Sequence, residues 1–453
     1  MTFSPDLDTV SVLAAVSATA VAHTRLINDR MVMYVELFTT ADKTDLTPLD
    51  ALVVETGVRD AVEKRLPLVL RLETTGPGVE FGLAGLAGWG RIAKQMVRAS
   101  GVIPQVCIAS GPVLSGPSLL LGLADITIFT ADAYAFVSGP QMVESFTGVP
   151  ISAEDLGGVS SQSRSSGVAA LVASDLDDAI ELAGDVLAFL PNHVDECPPN
   201  VDTDDPVDRL TPEAGEIVPS HATGSYDVRD VIRAVADDDE FFELRGSWAP
   251  NMVTGFASFG GHTVGVVANQ SQSLAGSIDI PASQKGARFV GMCDSFNIPL
   301  LTMVDTSGFL PGKDLEWRGM IRHGAQLAFS YARATVPRVG LILRKSYGGA
   351  YIVMDSRYMG NDIMFAWPSA EVAVMGAKGA VEILHRKADA AARVELEAAY
   401  ERDFLSPYPA AERGSITSVI EPSDTRANLV AAFDLLATKR ERLRARHHDN
   451  LPL

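Results

Sequence analysis

The chain has 453 residues, 47% hydrophobic and 21% charged, which is enough apolar material for two or three packed domains and excludes global disorder. A formal net charge of −20 with no lysine- or arginine-rich run excludes a nucleic-acid surface. No apolar stretch reaches the ~18 residues of a membrane span, no basic-then-apolar leader opens the sequence, and Cys107, Cys197 and Cys293 lack any Cys-x-x-Cys spacing, so buried thiols in a reducing cytoplasm are expected, with no membrane partner.

In chain order, residues 1–30 read as a short helical lead-in with Ala/Val periodicity. Met31–Phe38 reads as a strand, Asp50–Lys64 as an amphipathic helix and Pro67–Leu72 as a buried strand. Continued alternation of this kind predicts an α/β chain with parallel strands and helical crossovers. Residues 196–222, rich in Pro, Asp, Glu and Asn, read as a linker between a first domain at 1–195 and a second at 223–453. Further strands are expected at Thr263–Ala268, Pro299–Val304 and Arg338–Leu343, and a basic surface helix at Ala427–Arg446.

The second half repeats the first. Pro67 stands nine residues before Gly76 as Pro299 does before Gly308, and Pro104 stands twelve before Gly116 as Pro337 does before Gly349. Asp125 precedes Gly139 by fourteen as Asp362 precedes Gly376, so the copies hold an offset of 232 to 233 residues that widens to 237 only after the second loop. Three such matches in order imply two homologous domains.

Three loops in the second copy could carry chemistry. Arg344-Lys-Ser-Tyr-Gly-Gly-Ala-Tyr351 joins an apolar strand to a helical pattern, and bare amides at Gly348, Gly349 and Ala350 suit an oxyanion, although the glycines alone also fit a plain tight turn. Asp305-Thr-Ser-Gly308-Phe309-Leu-Pro-Gly312 lies at a strand's C-terminal end, where open α/β sheets bind ligands. Asn269 and Gln270 end another strand, with Lys285 on the helix beyond it, and are either polar ligand contacts or turn-formers. Phosphate-loop, dinucleotide and Gly-x-Ser-x-Gly motifs are missing and the eight histidines show no metal-ligand spacing, so backbone-donor chemistry on a stabilised enolate is favoured over side-chain acid–base work and no metal is expected.

From about Arg30 onward the chain resembles the carboxyltransferase (β) subunits of biotin-dependent acyl-CoA carboxylases. The likeness rests on Ala268-Asn-Gln270, Ala275-Gly-Ser-Ile-Asp-Ile280, Cys293-Asp-Ser-Phe-Asn-Ile-Pro299, Val304-Asp-Thr-Ser-Gly-Phe-Leu-Pro-Gly312, Lys345-Ser-Tyr-Gly-Gly-Ala-Tyr351 and His448-Asp-Asn-Leu-Pro-Leu453. It implies two tandem crotonase-fold domains, assembled as dimers to hexamers, with each active site between the first domain of one chain and the second of its neighbour. It further implies carboxybiotin on a biotin carboxyl carrier, charged by a biotin carboxylase, and a short acyl-CoA such as acetyl- or propionyl-CoA as acceptor. Gly349 and Ala350 would hold the biotin oxyanion, with Gly348, Tyr351, Asn269, Gln270, Gly308 and Phe309 around the cofactor. Ser115 and Gly116 would hold the thioester enolate, and Ile352, Gly76, Gly78 and Gly139 would bind the acyl substrate.

The departures from the family pattern cluster in the first domain. Val113-Leu-Ser-Gly-Pro117 replaces the usual Cys-Ala-Gly-Gly-Ala, so Pro117 brings no N–H. Thr39-Thr-Ala-Asp-Lys-Thr44 and Glu73-Thr-Thr-Gly-Pro-Gly78 stand where glycine turns are customary, and Gln162 stands for a histidine. An intact biotin side beside an altered CoA side leaves three readings: an acyl-CoA carboxyltransferase, a biotin-dependent enzyme with a non-CoA or carrier-bound acceptor, or a structural β-type subunit in a mixed hexamer.

Overall fold

A computed structural model describes residues 13–221, 224–450 and 452. The chain divides into two compact units, Met1–Pro199 and Asn200–Leu453, each with its own sheet and core. In the first unit β1 (Leu13–Val16), β2 (Ala20–Ile27), β3 (Arg30–Leu37), β4 (Leu68–Thr74), β5 (Gln105–Leu114), β6 (Ile126–Thr130) and β8 (Leu171–Ala173) lie side by side in the order β1-β2-β3-β4-β5-β6-β8, and β7 (Tyr134–Phe136) pairs with the end of β5. From β3 onward the pairing is parallel.

In the second unit β9 (Phe242–Leu244), β10 (Met252–Phe259), β11 (His262–Asn269), β12 (Leu300–Thr306), β13 (Arg338–Tyr347), β14 (Ile363–Ala366) and β16 (Ser418–Val419) repeat the order, with β15 (Glu371–Ala373) on the end of β13.

The repeat extends to single hydrogen bonds. The first amide of β5, at Gln105, donates to Asp125 at 2.9 Å, and that of β13, at Arg338, donates to Asp362 at 2.8 Å. Thr74 Oγ1 accepts from the Gly76 N–H at 3.2 Å, as Thr306 Oγ1 does from Gly308 at 3.3 Å. Leu46 bridges Pro77 as Ile278 bridges Phe309. The helix after each bridge is capped by a side chain: Thr47 and Asp50 form a reciprocal capping box on Pro48–Lys64, and Asp279 caps Ile280–Ser295. Ala51, Val54, Val58 and Ala61 then fall on one face of Pro48–Lys64 at three- and four-residue steps and are buried in one cluster with Ala20 and Ala22 of β2 and Met33, Val35 and Leu37 of β3, the strands that this helix packs on.

Three sequence expectations are corrected. The lead-in is not helical over its described part: Ala20–Ile27 pairs antiparallel with Arg30–Leu37 through Asn28 and Asp29, both at positive φ, the turn that a two-residue hairpin requires (Met1–Val12 lie outside the described residues). The polar stretch 196–222 packs on the second unit from Asn200 onward, through Ala214 in the core, Ile217 and Val218 against it, and a buried charge network. Arg426, fully buried, reaches Asp237 at 2.7 Å and Asp205 at 3.4 Å and donates to the carbonyls of Asp205, Pro206 and Val235. The C-terminal helix runs only over Thr425–Leu436, and its Leu429, Val430 and Phe433 are buried rather than surface-borne; the basic residues come after it ends. Of the thiols, Cys107 and Cys293 are buried, and Cys197 is exposed.

Asp237 also accepts from the Gly260 and Gly261 amides, so Asp237→Ala strands a buried guanidinium and two donors. A loss of about 3–5 kcal/mol in urea unfolding is expected; a loss within the ~0.5 kcal/mol of ordinary surface changes would contradict this account.

Candidate functional site

In the second unit the strand β13 runs straight into the short helix Gly348–Val353. Tyr347 caps this helix without any side-chain hydrogen bond, so the Gly348, Gly349 and Ala350 amides have no partner within the helix. Gly348 sits at φ +60, where a side chain would be strained, Gly349 is exposed, and Ala350 is fully buried. The ring of Phe309 lies against Gly349, 3.6 Å from where a Cβ would stand, and on its other edge against Gly324 of the helix Met320–Arg333. The loop at 305–312 and the loop at 344–352 therefore come together, as their sequence positions imply. Tyr347 is held by a short hydrogen bond to Glu371, whose carboxyl burial pushes above the usual range.

Both loops hang on a buried ion pair. Arg344 reaches Asp305 at 2.9 Å with both side chains nearly inaccessible, Tyr226 donates to the same carboxylate at 2.9 Å, and the Lys345 amide donates to it at 3.1 Å. Arg344 spends its other donors on the Gly224 and His221 carbonyls. This anchor is not among the residues that the sequence singles out, although Asp305 and Arg344 each open a glycine loop.

Asn269 closes β11, and Gln270 follows it. Asn269 is fully buried and accepts the Asp305 amide, while Gln270 is 2% exposed and donates to Asp227 at 2.6 Å. They hold strand ends together. Lys285 is likewise internal, its ammonium donating to the Arg245 and Trp248 carbonyls at 2.8 Å; burial pushes its pKa down to about 7 while those carbonyls favour the charged form. Tyr351 and Ile352 are half-buried on the helix Gly348–Val353.

In the first unit the corresponding turn is Ser115-Gly116-Pro117. Ser115 is exposed at φ +61, yet its N–H donates to the Phe136 carbonyl at 2.9 Å. Its own carbonyl is taken by Ser118, and Pro117 has no N–H. Gly116 contributes the remaining backbone donor, with Nε1 and Cε2 of the Trp89 indole 2.6 Å from where a Cβ would stand. Gly76 packs beside Ser115 but spends its amide on Thr74, and Gly78 spends its own on the Leu46 carbonyl. The substituted segments meet: Thr39 bonds Glu73 in a short contact, and Thr44 bonds Thr75 at 3.1 Å. Gln162 is tied to the Ala135 carbonyl at 2.7 Å and to Ser166 at 2.6 Å, and Gly139 packs on Phe136. Among the described residues no His, Cys, Asp and Glu cluster of metal-site type occurs, and no helix is long and apolar enough to cross a membrane.

Residues 26–451 match the Carboxyl transferase domain family. The chain belongs to that family. It is 42% identical over 400 residues to the propionyl-CoA carboxylase carboxyltransferase subunit of Haloferax mediterranei, an alignment spanning 87% of this chain and 78% of that one. It is 42% identical over 407 residues to the methylmalonyl-CoA carboxyltransferase 12S subunit of Propionibacterium freudenreichii subsp. shermanii (88% and 77% covered) and 43% identical over 397 residues to the human mitochondrial propionyl-CoA carboxylase beta chain (87% and 73%). Among solved structures it superposes on one chain of transcarboxylase 12S, solved with methylmalonyl-coenzyme A and methylmalonic acid and described as a hexamer, at a TM-score of 0.94 and 39% identity over 96% of this chain and 85% of that one. As in other carboxyl transferase domains the fold is a pair of crotonase-like α/β units.

The strained Ser115 stands where the family pattern has glycine. Backbone held in this region costs on the order of 1–3 kcal/mol for a residue with a Cβ. Ser115→Gly is therefore expected to raise the unfolding midpoint by a few degrees (about 1 kcal/mol), read by thermal melting; an unchanged or lowered midpoint would show that the turn is relaxed as it stands.

Proposed function

We propose that this chain is the carboxyltransferase component of a biotin-dependent acyl-CoA carboxylase, moving a carboxyl group from carboxybiotin on a carrier protein to the α-carbon of a short acyl-CoA. The observation that carries the reading is the glycine-opened turn Gly348–Ala350 with its unspent amides, in a chain 42% identical to propionyl- and methylmalonyl-CoA carboxyltransferase subunits.

That turn fits the ureido carbonyl of biotin. Gly349 is exposed and has no side chain to obstruct approach, the Gly349 and Ala350 amides are free to donate, and Phe309 offers an apolar wall. Carboxybiotin, presented by a biotin carboxyl carrier partner and charged by a biotin carboxylase, supplies the carboxyl group. The two amides bind the ureido oxygen and stabilise negative charge there, and preorganised donors of this kind contribute roughly 3 kcal/mol each. Ile352, one turn on, is the proposed floor of the acyl pocket. Gly116 holds the thioester oxygen as its α-carbon gains carbanion character, and Gly76 and Gly139 border that turn. A homo-oligomer, up to a hexamer, and a cytoplasmic setting complete the proposal.

A second reading keeps the biotin side and changes the acceptor to a non-CoA or carrier-bound acyl group, or leaves the chain as a structural partner in a mixed hexamer. It is favoured by the spent amide of Ser115 and by Pro117, neither of which has a counterpart in the Gly348–Ala350 turn.

Two measurements bear on these readings. Gly349→Val keeps the fold, since a Cβ there meets only ordinary contacts, but its branched side chain covers the amides; decarboxylation of a carboxylated carrier is expected to fall at least ~100-fold, and undiminished turnover by a folded variant would remove Gly349 from the site. Calorimetry with acetyl- and propionyl-CoA is expected to give affinities ten- to a hundredfold weaker than for a relative with intact glycine turns, since one or two lost hydrogen bonds cost on the order of 1–3 kcal/mol. Affinity equal to such a relative's would restore the ordinary acyl-CoA reading in full, and undetectable binding with continued carboxybiotin consumption would favour the changed acceptor.

A further inference from the structure

The first unit keeps one backbone donor at its turn, yet a second donor lies beside it. Trp89 stands on the helix Leu83–Ala99, whose crossing over Pro48–Lys64 is tight enough at Gly88 that a Cβ there would come within 2.8 Å of Ala51. This close approach sets the indole against the turn. A Cβ on Gly116 would lie 2.6 Å from both Nε1 and Cε2 of Trp89, so the missing side chain of Gly116 is the space that the nitrogen edge of the indole fills. Nε1 is buried and has no hydrogen-bond partner among the described residues. An indole nitrogen is a donor only, and a buried donor without an acceptor is costly enough to call for an explanation.

The repeat supplies the comparison. At the 232-residue offset, Trp89 corresponds to Ile321, which carries no donor and is 83% exposed. The copy with Ala350 has a backbone amide at the third position of its turn and no indole. The copy with Pro117 has lost that amide and has an unspent indole N–H next to Gly116. Resting on the carboxyltransferase reading above, we propose that Trp89 is a catalytic residue of the first unit, its Nε1–H pairing with the Gly116 N–H to bind the thioester oxygen of the acyl acceptor as that oxygen becomes anionic. The indole replaces the donor that Pro117 cannot provide. It needs no proton transfer: the hydrogen bond only strengthens as charge moves from the α-carbon onto the oxygen.

The test uses the full chain with its carboxylated carrier and compares wild type with Trp89→Phe, which keeps an aromatic ring and deletes the N–H. Carboxylation of propionyl-CoA is expected to lose roughly ten- to a hundredfold in kcat/KM, with acceptor-free carrier decarboxylation within about twofold. The result that overturns the proposal is an unchanged kcat/KM. Calorimetry then separates hydrogen bonding from packing: propionyl-CoA binding should weaken in the variant, while its thioether analogue S-propyl-CoA, which lacks the thioester carbonyl, should bind as to wild type. Equal weakening of both ligands would make Trp89 a packing residue and sink the proposal. Should Trp89→Phe fail to fold, benzothienylalanine at position 89, isosteric but without the N–H, gives the same readouts. A wild-type chain that carboxylates no acyl-CoA at all would overturn the functional reading itself, and this proposal with it, a failure recognisable because it appears before any substitution.

Discussion

The ion pair between Arg344 and Asp305 is the constraint on which the second unit's loops depend. Two neighbouring parallel strands end there, and each runs directly into a glycine loop that has to hold bare amides in place. One carboxylate takes Arg344, the Tyr226 hydroxyl and the Lys345 amide, and so fixes both strand ends at once. Buried charges of this kind contribute modestly to net stability, because desolvation offsets most of their attraction, but removing either partner is severe. Their value here is geometric: the exposed Gly349 can remain bare because nothing local is needed to hold it.

At the equivalent positions the first unit has no such pair. The positions equivalent to Asp305 and Arg344 are Glu73 and Gly111. Gly111 leaves room that Glu73 fills, and the carboxylate turns instead to Arg71 at 3.1 Å and to Thr39. The strand ends are then fixed by hydroxyl and carbonyl bonds drawn from the substituted segments themselves. At the turn itself the Ser115 amide becomes an internal tie and Pro117 offers none, so rigidity there comes at the expense of ligand donors. The two units share a fold and differ in where their hydrogen-bonding capacity goes.

Much of this was readable in the sequence, for definite reasons. The repeat, the parallel strands and the glycine loop at Gly348–Ala350 follow from spacing and periodicity, which survive translation into structure. The hairpin at Asn28-Asp29 was missed because Ala- and Val-rich segments fit either period, and a turn without glycine gives a weak signal. The stretch after Asn200 looked like a linker because its anchors, Arg426 and Asp237, lie far along the chain and bind by charge. The fates of Asn269, Gln270 and the Ser115 amide depend on the exact pairing of strand ends. Residue type alone does not carry that information.

The carboxylates that seize the first amide of each central strand bear on how the units assemble. Asp125 lies 20 residues beyond Gln105, and Asp362 lies 24 beyond Arg338. Each bond thus closes one strand–helix–strand crossover, a short enough loop that its entropic cost is small. Closure of this kind depends on nothing from the other half of the chain. A nascent chain leaving the ribosome could therefore lock the middle of its first sheet well before its second sheet has been synthesised, and each unit has within itself the means to begin folding alone.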